Sequence, residues 1–306
     1  MNMSRFFLAF LFLFLISACE QSRPGQAELP ADWETELAAW KQNRVDSLKR
    51  PSGWLRLAGM FVIEEGRQSF GSGTDQDFRF PEGSIPHHAG YIEREQNRVM
   101  MFPAEGVELL HRGDAVSEMV LYDGEAAPSV TYGALEWFVI VRQDLLAIRL
   151  YHNENEKADA FEGFPAYPAD PSWVREARFI PNREGTTIEV VNVLGQTEQT
   201  PSPGRLQFTI EGRSYTLDAL EGTERMFIIL GDLTNRTETY QAGRFLYVDY
   251  PEEGSDYTVI DFNKVYNPPC AFNVYTTCQL PPPQNRLDAA ITAGEKRPVG
   301  WTGLGV

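Results

Sequence analysis

Histidine and cysteine are scarce in this 306-residue chain, which contains four histidines and three cysteines. All four histidines precede residue 153. A zinc site built on Cys270 and Cys278 would need two further ligands, and the second half of the chain contains no histidine to supply them. The chain also lacks a Gly-x-Ser-x-Gly elbow, a His-Glu-x-x-His pair and a glycine loop with lysine for phosphate. No metal or other cofactor is therefore predicted, and whether the protein is an enzyme stays open.

Positive charge is also in short supply. The chain has 27 lysines and arginines against 43 aspartates and glutamates, which gives a formal net charge of -16. Such a surface repels phosphate backbones, so nucleic acid is not an expected partner, and the acidity serves solubility. Nothing after residue 18 approaches the roughly 20 apolar residues needed to span a bilayer. Apolar residues nonetheless make up 42% of the chain, enough for a packed core.

The first residues form a targeting segment. Arg5 precedes a short apolar run at residues 6–16, and small residues then lead into Cys19. This arrangement resembles a bacterial lipoprotein signal, which implies removal of residues 1–18 and acylation of Cys19, with palmitate among the lipids. Residues 19–31 would then be a polar tether. The alternatives are an uncleaved membrane anchor and a plain secretory signal. The resemblance implies an exported protein anchored to the membrane, facing the periplasm from the outer membrane if the host is Gram-negative.

The remaining chain is predicted to be mainly β. Residues 32–50 have apolar side chains at helical spacing, and the rest of residues 32–152 consists of short alternating or apolar runs separated by glycine. This pattern is typical of an antiparallel β-sandwich. Residues 153–181 are rich in proline and aromatic residues and predict an irregular crossing, after which residues 182–250 return to strands. The second unit, residues 153–306, is therefore expected to be a C-terminal β region closed by a loop rich in proline and cysteine.

Residues 70–93 are similar in order and spacing to the opening of a forkhead-associated domain, a β-sandwich that binds phosphothreonine. In that family an arginine contacts the phosphate, but here Ser72 occupies its position, while His87 and His88 lie near the serine and histidine positions. A phosphate site without its arginine loses its main charge-assisted hydrogen bonds. The resemblance therefore implies the sandwich, and it makes a phosphopeptide reader improbable.

A second resemblance covers most of the chain. The segments 53–61, 231–246, 261–272 and 277–287 and the closing Ala-Gly-Glu at 293–295 are similar to a bacterial family catalogued as domain of unknown function 1684. These motifs are long and unusual in composition. Because the family is uncharacterised, the resemblance implies no particular activity.

Cys270 and Cys278 are separated by seven residues. With Cys19 assigned to lipid, they form an even pair in an oxidising compartment, which predicts one disulfide. The alternative is a nucleophilic thiol that one of the four histidines approaches in space.

Polar residues are concentrated around the same loop. Arginine can hold a carboxylate or phosphate, and amides can orient a ligand, so these residues predict a polar ligand site. The alternative is that the aspartate and asparagines satisfy loop backbone through Asx turns. The candidate ligand-binding residues are Arg244, Asp261, Asn263, Tyr266, Asn267, Asn285 and Arg286.

Two functional hypotheses follow from these features. The first is a cell-envelope lipoprotein whose partners are the membrane, through its lipid, and a small polar or anionic ligand or envelope protein bound at residues 244–286. The second is a hydrolase that uses Asp261 with Arg244, or Cys270 as a nucleophile.

Overall fold

The computed structural model of the chain describes residues 25–143 and 145–299. The leader in residues 1–18, Cys19 and the first part of the expected tether lie outside the described residues. None of the helices within the described ranges is long and apolar enough to cross a membrane. The fold is mainly β, as predicted, and contains two β regions and one long helix.

The N-terminal helix α1 spans Trp33–Lys49 and carries two glutamates in its first turn and a lysine in its last. These charges complement the partial charges at the two helix ends. Its buried residues Trp33 and Leu37 pack with Val174 of the C-terminal region. The helix therefore lies against the second β region, although the sequence order groups it with the first.

Eleven strands form the first β region. They pair into a six-stranded sheet in the order β1-β11-β10-β9-β6-β7 and a five-stranded sheet in the order β3-β2-β4-β5-β8, and every pairing except β2–β3 is antiparallel. Both sheets contribute to a single core that includes Phe70, Ile92, Trp137 and Ile148, so the predicted sandwich is confirmed. The strands are β1 (Leu57–Val62), β2 (Gly66–Gly71), β3 (Phe78–Arg79), β4 (Gly90–Glu95), β5 (Arg98–Pro103), β6 (Leu109–His111), β7 (Asp114–Val116), β8 (Met119–Tyr122), β9 (Val130–Tyr132), β10 (Leu135–Arg142) and β11 (Leu145–His152).

The last strand of this sandwich, β11, is buried on both faces. Ile148 and Leu150 point into the sandwich core. Since side chains alternate along a strand, Arg149 and Tyr151 point to the outer face, where both are nevertheless buried. The outer face of β11 is therefore covered by the C-terminal region, and Arg149 lies between the two β regions.

The second β region contains eight strands and one short helix. Its main sheet has the order β16-β15-β12-β19, and two smaller sheets pair β13 with β14 and β17 with β18. Leu206, Leu217, Ile228 and Phe262 belong to its core. The elements are α2 (Glu156–Asp159), β12 (Val174–Pro181), β13 (Thr187–Val191), β14 (Thr197–Pro201), β15 (Gly204–Ile210), β16 (Arg213–Ala219), β17 (Met226–Leu230), β18 (Arg244–Val248) and β19 (Tyr257–Asp261).

Short 3-10 turns replace regular structure where prolines and asparagines cluster. Proline lacks a backbone donor, and asparagine and aspartate side chains bond to nearby backbone, so longer helices do not form there. Phe164 of the irregular crossing packs on Phe272, with ring centroids 4.9 Å apart. The crossing therefore covers the C-terminal loop. The 3-10 turns are Trp54–Arg56, Pro171–Trp173, Leu233–Arg236, Phe262–Lys264, Pro269–Ala271 and Pro283–Asn285.

Residues 25–31, the described end of the expected tether, lie along β12. Gln26 pairs with Arg175 in an isolated bridge, and the amide of Ala27 donates to the carbonyl of Val174 at 3.2 Å. This part of the segment is docked on the second β region.

Candidate functional site

The predicted disulfide joins Cys270 to Cys278, with the two Cα atoms 6.0 Å apart. The 3-10 turn Pro269–Ala271 begins the loop, and Thr276 is buried beside the sulfurs. The disulfide prediction is confirmed, and Cys270 is not a free nucleophile in this structure.

Arg244 has no exposed surface, like Asn267 among the seven predicted ligand-binding residues. One terminal nitrogen, Nη2, donates to Asp232 at 2.8 Å and to the carbonyl of Ile291 at 2.9 Å. The other, Nη1, donates to the carbonyls of Ala293 at 2.6 Å and Glu295 at 3.1 Å. Arg244 therefore fastens the C-terminal segment to β18 and offers its terminal nitrogens to the protein itself.

Asp261 and Asn263 stabilise the loop backbone. Asp261 accepts a hydrogen bond from the amide of Asn263 at 2.9 Å and, through its other oxygen, from the indole of Trp33 at 3.0 Å. Asn263 in turn accepts from the amide of Asp170 at 3.0 Å. Among the described residues, Asp261 and Arg244 share no hydrogen bond or ion pair. The pair considered for hydrolysis is not assembled.

Tyr266 and Asn267 connect the loop to α1. The guanidinium of Arg44 lies 4.5 Å from the centre of the Tyr266 ring and donates to the carbonyl of Asn267 at 2.9 Å. Burial, as the largest cause, raises the pKa of Tyr266 well above its usual range. The amide of Asn267 donates to Glu295 at 2.7 Å, and Glu295 also pairs with Arg44 at 3.1 Å. These contacts hold the helix against the loop.

Asn285 and Arg286 differ from each other. Asn285 accepts from the amide of Asp218 at 2.7 Å and donates to the carbonyls of Asp218 and Ile229, each at 2.9 Å. Arg286 is exposed beside a proline-lined surface groove that includes Pro282. Six of the seven predicted residues thus contact other parts of the protein, and the seventh, Arg286, is exposed. The structure does not bring the seven together in one pocket.

A cleft that the sequence did not indicate lies between the two β regions. Its volume is about 430 Å³. The sandwich contributes Arg142, Arg149 and the adjoining Trp54, and the C-terminal region contributes Phe227 and the loop at 276–279. The second β region and the disulfide loop therefore complete a site whose first wall is the β10–β11 hairpin.

Arg149 is the distinctive residue of this cleft. It is 7% exposed, its Nε has no hydrogen-bond partner, and no carboxylate of the described residues pairs with it. The guanidinium carbon lies 5.1 Å from the centre of the Trp54 ring, and the Tyr151 hydroxyl is its polar neighbour. Burial lowers the pKa of the Arg149 guanidinium, and Tyr151 opposes that shift. The protein thus buries a cation without a counter-charge in the described structure.

One signal in the sequence could have pointed to Arg149. Residues 145–151 are aliphatic or aromatic except for this arginine. A run that is apolar throughout predicts a strand buried on both faces, so a charge inside it must be compensated in the folded protein. Metal ligation has no comparable signal, since no cluster of three or more His, Cys, Asp or Glu residues suited to a metal ion occurs within residues 25–143 and 145–299.

The chain is a mainly β protein with a disulfide beside an arginine-lined cleft. Residues 159–296 match the model of the family described as "Protein of unknown function (DUF1684)", and the chain is similar to that family over this part. The match includes the disulfide loop and every one of the seven predicted residues, whereas segment 53–61 lies outside it.

A solved structure is also similar to this chain. It is the solution NMR structure of an uncharacterised protein from Haloarcula marismortui, which is 29% identical, with the similarity covering 46% of this chain and 80% of that one at a TM-score of 0.39. No curated protein matches the chain.

Proposed function

We propose that the cleft between the two β regions binds a small anionic ligand. The observation that carries this proposal is the buried guanidinium of Arg149, which has no carboxylate partner among the described residues. A buried charge without a partner is costly, and a carboxylate or phosphate placed against it forms strong charge-assisted hydrogen bonds. An anionic ligand would thus offset the desolvation free energy of the buried Arg149 guanidinium.

The other walls of the cleft define the rest of the ligand. Trp54, Phe227 and Phe245 supply aromatic surface, and Arg142 places a second positive charge at the exposed side, against one acid at Glu198. The volume of about 430 Å³ lies within the usual range for small-molecule sites. The ligand class that fits is a small carboxylate or phosphate with an apolar or planar body.

The test compares matched charged and neutral compounds. We expect phenylacetate or phenyl phosphate to bind in calorimetry and to raise the melting temperature of the protein, and phenylacetamide to bind at least about tenfold more weakly, since loss of a charged partner costs roughly 1.4 kcal/mol or more. Arg149→Met should abolish the difference between the acid and its amide. Arg213→Met is the control, because Arg213 is exposed and pairs with Asp288 away from the cleft lining.

Two results would contradict the anion site. One is that no anion of this series binds the wild-type protein. The other is that Arg149→Met binds the acids as tightly as the wild type does.

We further propose that the protein is exported and anchored by lipid on Cys19, in the outer membrane facing the periplasm when the host is Gram-negative. The support is the leader ending at Cys19, together with a disulfide, which is compatible with an oxidising compartment. Cells expressing the full chain should incorporate labelled palmitate into it, and Cys19→Ser should not be labelled. An unlabelled wild-type protein would rule out the lipid anchor.

A further inference from the structure

We propose that Cys270–Cys278 is a redox-active disulfide that exchanges with small anionic thiols bound in the cleft. This inference rests on the proposed anion site and names the chemical class of its ligand. Its three supports are the position of Cys278 in the cleft wall, the hydrogen bonds to the two sulfurs, and the Arg149 guanidinium in the same cleft, which has no carboxylate partner among the described residues.

The two sulfurs differ in their access to the cleft. Cys278 lines the cleft together with Thr276, Thr277 and Gln279, and it retains 8% exposure. Cys270 is fully buried behind it. A thiol that enters the cleft therefore meets Cys278 before Cys270.

The donors around the sulfurs favour departure of Cys270. Its sulfur accepts a hydrogen bond from the amide of Cys278 at 3.0 Å and lies 3.1 Å from the hydroxyl of Thr276, which shares its one proton between this sulfur and the carbonyl of Asn273 at 3.0 Å. The sulfur of Cys278 accepts from the amide of Cys270 at 3.1 Å. Hydrogen bonds of this kind stabilise a thiolate, and a thiol of lower pKa is the better leaving group in exchange.

The exchange proceeds in two balanced steps. The thiolate of a small thiol attacks the sulfur of Cys278, the Cys270–Cys278 bond breaks, and Cys270 leaves as a thiolate that its two donors stabilise. A second small thiolate then attacks the small-molecule sulfur of the mixed disulfide. A disulfide between the two small thiols forms, the bond to Cys278 breaks, and Cys278 leaves as a thiolate. Two small thiols are oxidised to one disulfide, the protein disulfide is reduced to two thiols, and the protons that the small thiols lose pass to solvent or to the new protein thiolates.

Arg149 directs this exchange towards anions. A mercaptocarboxylate can place its carboxylate against the guanidinium of Arg149 while its sulfur faces the wall that contains Cys278, because both residues line the same cleft. A neutral thiol of similar reactivity lacks that attraction. Charge-guided association of this kind raises association rates by roughly 10- to 1,000-fold.

The experiment measures reduction of the disulfide in the folded protein. Wild-type protein is incubated with 3-mercaptopropionate, glutathione or 2-mercaptoethanol at equal thiolate concentrations, and new thiols are trapped by alkylation and counted by mass spectrometry. We expect at least one anionic thiol to react about tenfold faster than 2-mercaptoethanol. Arg149→Met should reduce that ratio to about one, and Arg213→Met should leave it unchanged.

Thr276→Val tests the leaving group independently. The reduced variant should show a higher thiolate pKa for Cys270 in the pH dependence of its alkylation than the reduced wild type does, because one donor is lost. An unchanged pKa would overturn the role assigned to Thr276.

The outcomes separate this inference from the proposed function. A disulfide that resists every thiol until the protein unfolds overturns the exchange, while binding of phenylacetate in the earlier test still supports the anion site. Reduction at equal rates by anionic and neutral thiols also overturns it, since Arg149 would then play no part. Loss of phenylacetate binding as well would defeat both proposals.

Discussion

Arg244 and Arg149 are both buried arginines on strands of this protein, and their surroundings are very different. In both, the Nε atom lacks a hydrogen-bond partner within the described residues. The terminal nitrogens of Arg244, however, meet the carboxylate of Asp232 and three backbone carbonyls, whereas no carboxylate of the described structure pairs with Arg149. Arg244 therefore has its counter-charge within the protein, and we propose that a ligand supplies one to Arg149.

The comparison shows what distinguishes the surroundings of the two buried arginines. Burial alone does not, because exposure is 0% at Arg244 and 7% at Arg149. The distinction lies in whether the protein supplies the opposite charge itself. Where the fold supplies a carboxylate, the buried arginine forms an ion pair within the protein. Where a buried arginine beside a cleft has no such carboxylate, the arrangement favours a binding site for an external anion.

The largest effect is expected on removing the internal pair. Arg244→Met leaves Asp232 charged and buried without its partner, which should lower the free energy of unfolding by about 3–5 kcal/mol. Urea denaturation measures this loss. Arg213→Met removes an exposed pair with Asp288 and should cost less than about 1 kcal/mol. Similar losses in the two variants would show that the Arg244 pair is not structural.

The disulfide should have the next largest effect. Replacing both Cys270 and Cys278 with alanine removes a short covalent loop and should lower the free energy of unfolding by about 2–3 kcal/mol. Reduced wild-type protein should unfold at the same urea concentration as the variant. A variant as stable as the oxidised wild type would show that the bridge does not constrain this loop.

Arg149→Met should change stability in the opposite sense from Arg244→Met. Removing a buried cation without a partner relieves a desolvation cost, so the free energy of unfolding should stay unchanged or rise by about 1–2 kcal/mol while anion binding is lost. The same urea experiment measures it. A loss of stability as large as that of Arg244→Met would erase the contrast between the two arginines.

The smallest change in the free energy of unfolding is expected at Asp77, whose carboxylate is stabilised by hydrogen bonds from Ser69 and not by an arginine. The amide and hydroxyl of Ser69 donate to Asp77 at 2.7 and 2.8 Å and lower the pKa of Asp77 below its ordinary 3.8. Its contribution to stability is therefore present above pH 3.8 and is lost as the pH falls through the lower folded value. Asp77→Ala should be slightly less stable than the wild type near pH 6, and the gap should close at lower pH. A gap that is constant with pH would contradict this linkage.

Local patterns in the sequence predicted the sandwich and the disulfide. Short alternating runs predict strands, and two neighbouring cysteines in a chain whose first residues resemble an export signal predict a bridge. The dense polar residues of the loop were predicted to bind a ligand or, alternatively, to satisfy loop backbone, but their partners are remote in sequence. Asn285 bonds to Asp218 and Asp261 to Trp33, so their structural roles depend on long-range folding.

By itself, the sequence determined the β class, the disulfide and the presence of an arginine within an apolar strand. Only the tertiary structure decided which arginine has a carboxylate partner. The charge balance of a buried group depends on what the fold brings against it. The C-terminal region places Asp232 beside Arg244, whereas it lines the cleft with Phe227, Thr276 and the exposed Glu198, none of which forms an ion pair with Arg149 in the described structure. The cleft exists because one strand of the sandwich is covered on its outer face by the second β region.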